Sequence, residues 1–224
     1  RMFPHEQIPA YQRFRLAERP LKGMPVWHLF EGRRGIGTVL LWIPYFTAFL
    51  MLVTNSSWSP VVLHGAGISV PQAGLIMATY NGGSVLGTVA VGWLIGVFGV
   101  YGVLSMLLLL SAFAFGSVGF GVPSFGTTLL LQGTGGVFLG AGSSGLIALA
   151  AAFYPTSIRS SGVGWATAVG RLGSFTGPLL AAVLIGRHWD VQSLYLALGA
   201  PGLLAAVGVV LLGISQRGEA TVHE

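Results

Sequence analysis

Long apolar stretches alternate with short polar ones along most of this 224-residue chain. The pattern contains six apolar spans, at about 35–54, 71–95, 101–121, 127–153, 158–186 and 193–214. Each has the roughly 20 residues that an α-helix needs to cross a bilayer. Strands of membrane β-barrels are about ten residues long and alternate apolar with polar residues, unlike these spans. The pattern predicts an all-α integral membrane protein with a six-helix bundle at 35–215.

Polar or glycine- and proline-containing segments separate the spans. They read "SSWSPVVLHGAGISVP", "GVFGVYG", "GVPSFG", "YPTSIRSS" and "GRHWDVQ". Clusters of this kind between apolar spans are typical of loops, so we expect each of these segments to connect two helices.

The composition supports a membrane protein and excludes several other classes. Hydrophobic residues make up 53% of the chain and charged residues only 8%, whereas soluble domains carry about 25% charged residues. The chain has no cysteine, which excludes disulfides and thiolate-bound metals, and we expect neither a metal nor a cofactor. Residues 1–34 lack the apolar core of a signal peptide. Because the sequence begins with an arginine, we expect it to belong to a longer polypeptide.

The basic residues are concentrated at one end of the chain. Residues 1–34 hold seven of the eleven basic residues. Arg159 and Arg217 fall on the same predicted side, and Arg187 falls on the other. The positive-inside rule therefore predicts a multi-pass protein of the cell (inner or plasma) membrane, with segment 1–34 and tail 216–224 in the cytoplasm. This distribution indicates membrane topology and no nucleic-acid partner.

Polar side chains are unevenly distributed among the spans. The first, second, fourth and fifth spans contain Tyr45, Asn55, Tyr80, Asn81, Gln132 and Arg171. Such side chains are costly in lipid and usually face a bundle interior or a water-filled cavity. We therefore expect these four helices to surround a cavity, and the third and sixth helices to face lipid.

Glycines recur four residues apart in several spans. The pairs are Gly83 with Gly87, Gly92 with Gly96, Gly136 with Gly140, and Gly173 with Gly177. This spacing predicts faces on which two helices approach closely.

Arg171 lies near the middle of the fifth span, about 20 Å from either end of the helix. Helical spacing puts Thr167, Ser174 and Pro178 on the same face. No acidic residue occurs between Glu31 and Asp190. Two interpretations are open: a structural arginine bonded to carbonyls of neighbouring helices, or a site for an anion, since a guanidinium matches both oxygens of a carboxylate.

Two stretches carry a resemblance to a known family. Six helices after a basic segment resemble the C-terminal half of a major facilitator superfamily transporter, with residues 1–34 as its central loop. "LLWIPYFTAFLMLVTNSSWSPVVL" and "YPTSIRSSGVGWATAVGRLGSFTGPLL" resemble the aromatic acid:proton symporters within it. The resemblance implies a secondary active transporter that moves a small organic, aromatic carboxylate with protons by alternating access. Its partners would be the lipid bilayer and an N-terminal six-helix half.

Polar and aromatic residues in the middle of the spans are candidates for binding such a substrate, although Tyr45, Phe49, Tyr80 and Asn81 are equally typical of ordinary helix packing. Arg171 would bind the carboxylate, and Tyr45, Phe49, Tyr80 and Asn81 would flank the ring. Further residues of the cavity would be Gln132, Thr167 and Ser174. Since no acid lies in the membrane part of this chain, a proton-carrying carboxylate would lie in the other half.

One departure from the family bears on gating. The family's cytoplasmic signature is G-x-L-x-D-R-x-G-R-R, and "GWLIGVFGVY" keeps Gly92, Leu94 and Gly99. Gly96 and Val97 stand where the aspartate and arginine belong. Gly92 and Gly96, with Arg159 in the next cytoplasmic loop, are the gating positions. The loss of the acidic–basic pair leaves a second hypothesis, a non-transporting or degenerate half that serves as a scaffold.

An enzyme is a weaker alternative. Gly142 to Gly145 reads G-S-S-G, a pattern found in intramembrane serine proteases. A serine nucleophile needs a base within hydrogen-bond reach, and no histidine lies inside a predicted span. We therefore expect no catalytic site.

Overall fold

A computed structural model describes residues 27–32, 34–120 and 124–220, which form six long α-helices after a short 3-10 helix, Trp27–Leu29. The long helices are α1 (Arg34–Gly65), α2 (Val70–Phe98), α3 (Val100–Val118), α4 (Phe125–Phe153), α5 (Arg159–Gly186) and α6 (Val191–Ala220). All six are long and apolar enough to cross a membrane, and the described residues contain no strand. The predicted six-helix, all-α membrane fold is confirmed. Predictions for residues 1–26, 33, 121–123 and 221–224 concern residues outside these ranges.

The first helix is longer than its apolar span. α1 continues to Gly65, through most of a segment that the sequence predicts to be a loop. Pro60 lies inside this extension and costs one backbone hydrogen bond. Ser59 and Leu63 are buried against other helices, and this packing keeps the extension helical. α6 likewise continues to Ala220, past the predicted start of the tail.

The helices pack around a central pair. α2 lies along α4, and α5 lies along α1. α3 packs on both α4 and α6, and α6 packs on α1, so that α1 and α4 lie inside the bundle. The apolar windows of α2 and α5 are only 17% and 22% buried, against 44–56% for the other four helices. α2 and α5 therefore leave the largest apolar surfaces without a partner inside this unit.

Glycines allow the closest helix contacts. A methyl group at Gly83 or Gly87 of α2 would overlap the backbone of α4, at the carbonyls of Gly133 and Val137. The same holds for Gly136 and Gly140 on α4, and for Gly173 and Gly177 on α5, which lie against α2 and α1 respectively. The close approach predicted for these three pairs is confirmed. Gly92 and Gly96 instead face open space.

The residues just before α1 fold back on its first turns. Leu29 is buried, and its carbonyl accepts a hydrogen bond of 2.8 Å from the Thr38 hydroxyl. The Tyr154 hydroxyl, after the end of α4, donates to the same Thr38 oxygen at 3.4 Å, and burial raises the pKa of this phenol. This end of the predicted loop 1–34 is thereby fixed to both α1 and the end of α4.

Candidate functional site

Arg171 lies on an exposed face of α5, beside α1. It lines an open cleft of about 460 Å³. The other lining residues come from α1 and α5, and they are Phe49, Leu52, Val53, Thr167, Ser174 and Phe175. Of the predicted substrate-binding residues, the structure thus brings together Arg171, Phe49, Thr167 and Ser174.

Two glycines determine how close Arg171 comes to α1. A methyl group at Gly173 would overlap the carbonyl of Phe46, and one at Gly170 would lie 3.1 Å from the Phe49 ring. Because neither residue has a side chain, α5 lies directly against α1. This contact puts the Phe49 ring and Arg171 on the wall of the same cleft.

The two hydroxyls of the cleft are bonded within their own helix. Thr167 donates to the carbonyl of Val163 at 2.8 Å, and Ser174 donates to the carbonyl of Gly170 at 3.3 Å. A hydroxyl that donates its proton keeps lone pairs that can accept. Next to the arginine, both oxygens can therefore accept a hydrogen bond from a ligand group.

The charge of Arg171 has no acidic neighbour in sequence and forms no ion pair among the described residues. Apart from Thr167 and Ser174, the other residues of the wall are phenylalanine, leucine and valine. A guanidinium beside such apolar side chains favours an anion, above all a planar carboxylate. The cleft combines this group with an aromatic ring.

Tyr45 supports the cleft from behind. Its ring stacks on Phe49 with a centroid distance of 6.0 Å and an angle of 9°. Tyr45 is fully buried, and its hydroxyl donates to the carbonyl of Leu146 on α4 at 3.1 Å. Tyr45 therefore holds the Phe49 ring and links α1 to α4, but it does not line the cleft.

Tyr80 and Asn81 lie elsewhere on α2. The Tyr80 hydroxyl donates to the carbonyl of Leu52 at 3.4 Å, and its ring meets Phe115 edge-on at 6.1 Å. Asn81 is exposed and donates to the carbonyl of Met77 at 2.8 Å. Neither lines the cleft at Arg171, although Tyr80 contacts α1 next to it through Leu52.

Gln132 belongs to a buried polar cluster, which consists of Asn55, Ser59, Gln132 and Tyr195. Its amide nitrogen donates to Asn55 at 3.2 Å and to the Tyr195 hydroxyl at 3.1 Å. Tyr195 in turn donates to Ser59 at 3.0 Å. All four residues are buried, and they join α1, α4 and α6. Gln132 has no contact with the cleft at Arg171.

The sequence does not single out Ser59 or Tyr195. Tyr195 stands near one end of the sixth span, which we expected to face lipid, yet its hydroxyl is inside the bundle. The signal that could have found the cluster is the shared polarity of Asn55 and Gln132 on two spans that are otherwise apolar. Polar side chains of this kind form hydrogen bonds between membrane helices, since the lipid tails offer them no partner.

The three predicted gating positions lie near the C-terminal end of α2 and at the beginning of α5. Gly92 and Gly96 are exposed, and α2 ends where Gly99 adopts a φ of +83°. Arg159 is the first residue of α5, and its Nε donates to the carbonyl of Tyr154 at 3.4 Å. Consecutive helices cross the membrane in opposite directions, so the end of α2 and the beginning of α5 lie on the same side. All three gating positions are therefore on that side of the membrane-spanning unit.

The serines of the protease-like stretch have structural partners. Ser143 is buried and donates to the carbonyl of Gly140 at 3.1 Å, and the Ser144 hydroxyl pairs with that of Thr88 at 3.0 Å. The histidines with described positions lie at helix ends or in connections.

These features define a multi-pass, all-helical membrane protein with one unpaired arginine in an open cleft of the described bundle. The chain belongs to the Major Facilitator Superfamily, whose sequence profile matches residues 39–223.

Several curated relatives have names that refer to aromatic acids. The chain is 33% identical to the 4-hydroxybenzoate transporter PcaK of Pseudomonas putida over 193 residues, which are 86% of this chain and 43% of that protein. It is 35% identical to the 3-(3-hydroxy-phenyl)propionate transporter of Escherichia coli (strain K12) over 86% of this chain and 47% of the relative. The Pseudomonas putida gallate transporter is 28% identical over 84% of this chain and 42% of its own length. The chain thus spans less than half the length of these relatives. The resemblance to aromatic acid transporters is confirmed.

Proposed function

We propose that this chain is the C-terminal half of a secondary active transporter, which moves a small aromatic carboxylate together with protons by alternating access. The observation that carries the proposal is the cleft at Arg171, where an unpaired guanidinium adjoins the Phe49 ring and two hydroxyl oxygens. The names of the relatives support an aromatic acid as the substrate.

In this proposal each lining residue has a role. Arg171 binds the carboxylate through two parallel hydrogen bonds, and Phe49 packs on the ring. Thr167 and Ser174 accept hydrogen bonds from ring hydroxyls. Tyr45 keeps Phe49 in position. Tyr80, Asn81 and Gln132 act as substrate contacts only if the cavity of the full transporter extends past the cleft that this half forms by itself.

The partner would be an N-terminal six-helix half. The exposed faces of α2 and α5 support it, since both helices cross the bundle with little burial in this unit. Substrates of such transporters bind near the midplane between two repeats, where Arg171 is predicted to lie. The coupling proton would be carried by the other half, because no acid lies between Glu31 and Asp190.

We further propose the cell membrane as the location, with the N-terminal segment and the C-terminal tail on the cytoplasmic side. The distribution of basic residues supports this orientation. The end of the bundle with Gly92, Gly96 and Arg159 is then cytoplasmic, where the family's gating signature lies.

The test is uptake of radiolabelled 4-hydroxybenzoate by vesicles that contain the full-length polypeptide with this chain. Uptake that needs an inward proton gradient, collapses with a protonophore and is absent from empty vesicles is the expected result. Binding of the acid without any uptake would contradict the proposed transport.

A second candidate is a non-transporting membrane module, either a degenerate half or a scaffold. It is favoured by Gly96 and Val97, which replace the acidic–basic pair of the gating signature. Replacing them together by aspartate and arginine distinguishes the two functions. A degenerate half should gain uptake from this change, whereas an active transporter should already show uptake without it.

A further inference from the structure

A second cleft lies between α1, α5 and α6, away from Arg171. Its volume is about 310 Å³. Most of its wall is apolar, and its α5 and α6 residues include Gly177, Leu180, Leu184, Leu194, Ala197 and Pro201. α5 and α6 are consecutive in the chain, yet they hardly contact each other. The cleft therefore opens sideways between two neighbouring membrane helices.

This cleft is separate from the proposed substrate site. Leu180 follows Arg171 by about two and a half helical turns, which puts it on the opposite side of α5. Leu180 and Val183 are both about half exposed, at 52% and 53%. One side of α5 thus lines the cleft with Arg171. The opposite side lines the second, apolar cleft and faces the membrane.

The polar groups in the cleft are mostly bonded to the protein. The Trp58 ring nitrogen donates to the carbonyl of Pro178 at 3.0 Å. The hydroxyls of Ser59 and Tyr195 belong to the buried polar cluster. Among the residues that line this cleft, only Thr54 has a buried hydroxyl without a partner within the described residues. One neutral hydroxyl does not offset the cost of burying a carboxylate, so the cleft fits a hydrocarbon and not an aromatic acid.

The cleft lies within one leaflet. From Gly177 at its inner end to Arg187, which caps α5, the helix rises about 15 Å. With Arg171 near the midplane, Arg187 lies about 24 Å from it along the helix, beyond the roughly 15 Å that half of the hydrocarbon core occupies and therefore at the level of the headgroups. Arg187 is exposed and lies two residues beyond the lining Ile185. A basic residue at this level attracts the phosphate of a lipid headgroup.

We propose that this cleft binds a phospholipid, with one acyl chain between α5 and α6 and its phosphate at Arg187. The lipid comes from the leaflet on the side of the α5–α6 connection. It fills the space that the two helices leave open, and it replaces the direct contact that they do not make.

Photo-crosslinking tests this site in membranes that contain the full-length polypeptide. Phosphatidylglycerol with a diazirine in its acyl chain should label peptides from 177–185 and 194–201, and an excess of unlabelled phosphatidylglycerol should abolish this labelling. Ala197→Trp fills the cleft, and labelling should fall roughly tenfold. Ala200→Trp, an exposed site outside the cleft on the same helix, should leave it unchanged.

Arg187→Gln tests the headgroup contact. Labelling at low salt should fall about fivefold, because one basic residue near the surface contributes an attraction of this order. Arg171→Gln should not change it, so a failed lipid site and a failed substrate site give different results. Labelling spread evenly over all lipid-facing helices, or displaced by 4-hydroxybenzoate, would overturn the proposal.

Discussion

The side-chain amides of Asn55 on α1 and Gln132 on α4 exchange two hydrogen bonds. Asn55 Nδ2 donates to Gln132 Oε1 at 3.0 Å, and Gln132 Nε2 donates to Asn55 Oδ1 at 3.2 Å. The pair joins the two central helices, and Tyr195 and Ser59 complete the cluster. Both amides are buried inside the bundle, and the Asn55 nitrogen donates to Gln132 Oε1.

Gln132→Ala should therefore reduce stability. We expect the free energy of unfolding to fall by about 1–3 kcal/mol, because the buried amide nitrogen of Asn55 loses the acceptor Gln132 Oε1. Replacing Asn55 and Gln132 together by leucine should cost less than the sum of the single changes. Thr134→Ala, at an exposed hydroxyl bonded only within α4, is the control. Thermal unfolding of the full-length polypeptide in detergent measures the differences.

The same series tests Gln132 as a substrate contact. If Gln132→Ala keeps its thermal stability but loses protection by 4-hydroxybenzoate, the residue binds substrate and the structural interpretation fails.

Gly87→Ala and Gly92→Ala form a matched pair on one helix. A methyl group at Gly87 meets the carbonyl of Val137, whereas one at Gly92 meets open space. We expect Gly87→Ala to destabilise by about 1–3 kcal/mol through overpacking. Gly92→Ala should be neutral or stabilise by about 0.5–1 kcal/mol, since alanine is the better helix former. Equal melting temperatures for the two variants would contradict the close contact of α2 with α4.

Arg171 variants test the proposed carboxylate site. Arg171→Lys keeps the charge but loses the planar fork, so affinity for 4-hydroxybenzoate should weaken, and Arg171→Gln should nearly abolish binding. Thr176→Gln is the control: it puts the same amide on α5 outside the cleft, and this variant should bind 4-hydroxybenzoate as the wild type does. Protection of the purified polypeptide against thermal unfolding measures binding directly. A structural arginine would instead lower the protein level in the membrane, and the remaining Arg171→Gln protein would be protected like wild type.

Single cysteines test the topology, since the sequence has none. Ser69 and Ser124 precede α2 and α4, and Ser160 is in the first turn of α5; all three are exposed. An impermeant maleimide should label cysteines at Ser69 and Ser124 in intact cells, and one at Ser160 only after permeabilisation. Labelling of the Ser160 position in intact cells would reverse the proposed orientation.

The six helices were predictable because the cost of burying a polar backbone in lipid forces long apolar stretches to become helices. The ends of these helices were less predictable. The segment after Asn55 contains serines and Pro60, which locally favour a loop, but burial of Ser59 and Leu63 keeps it in α1. Local composition carries no information about such long-range packing.

The candidate site was predictable only in part. Arg171, Thr167 and Ser174 share a helix face, so spacing alone brings them together. Gln132 and Tyr80 are also polar, but their side chains bond to residues of α1, Asn55 and Leu52, and do not line the cleft at Arg171. Which face of a neighbouring helix a polar group meets depends on how the helices rotate and cross, and one sequence does not specify this.

The unequal lengths of α1 and α3 have a consequence for the surrounding bilayer. α3 has 19 residues and a length of about 28 Å, which matches a hydrocarbon core of about 30 Å. α1 has 32 residues and is about 48 Å long, so it would need a tilt of about 50° to fit, beyond the roughly 0–40° of membrane helices. α1 must therefore protrude from the hydrocarbon. A thinner membrane uncovers more of α1 while α3 still spans it, so hydrophobic mismatch acts unequally within one bundle.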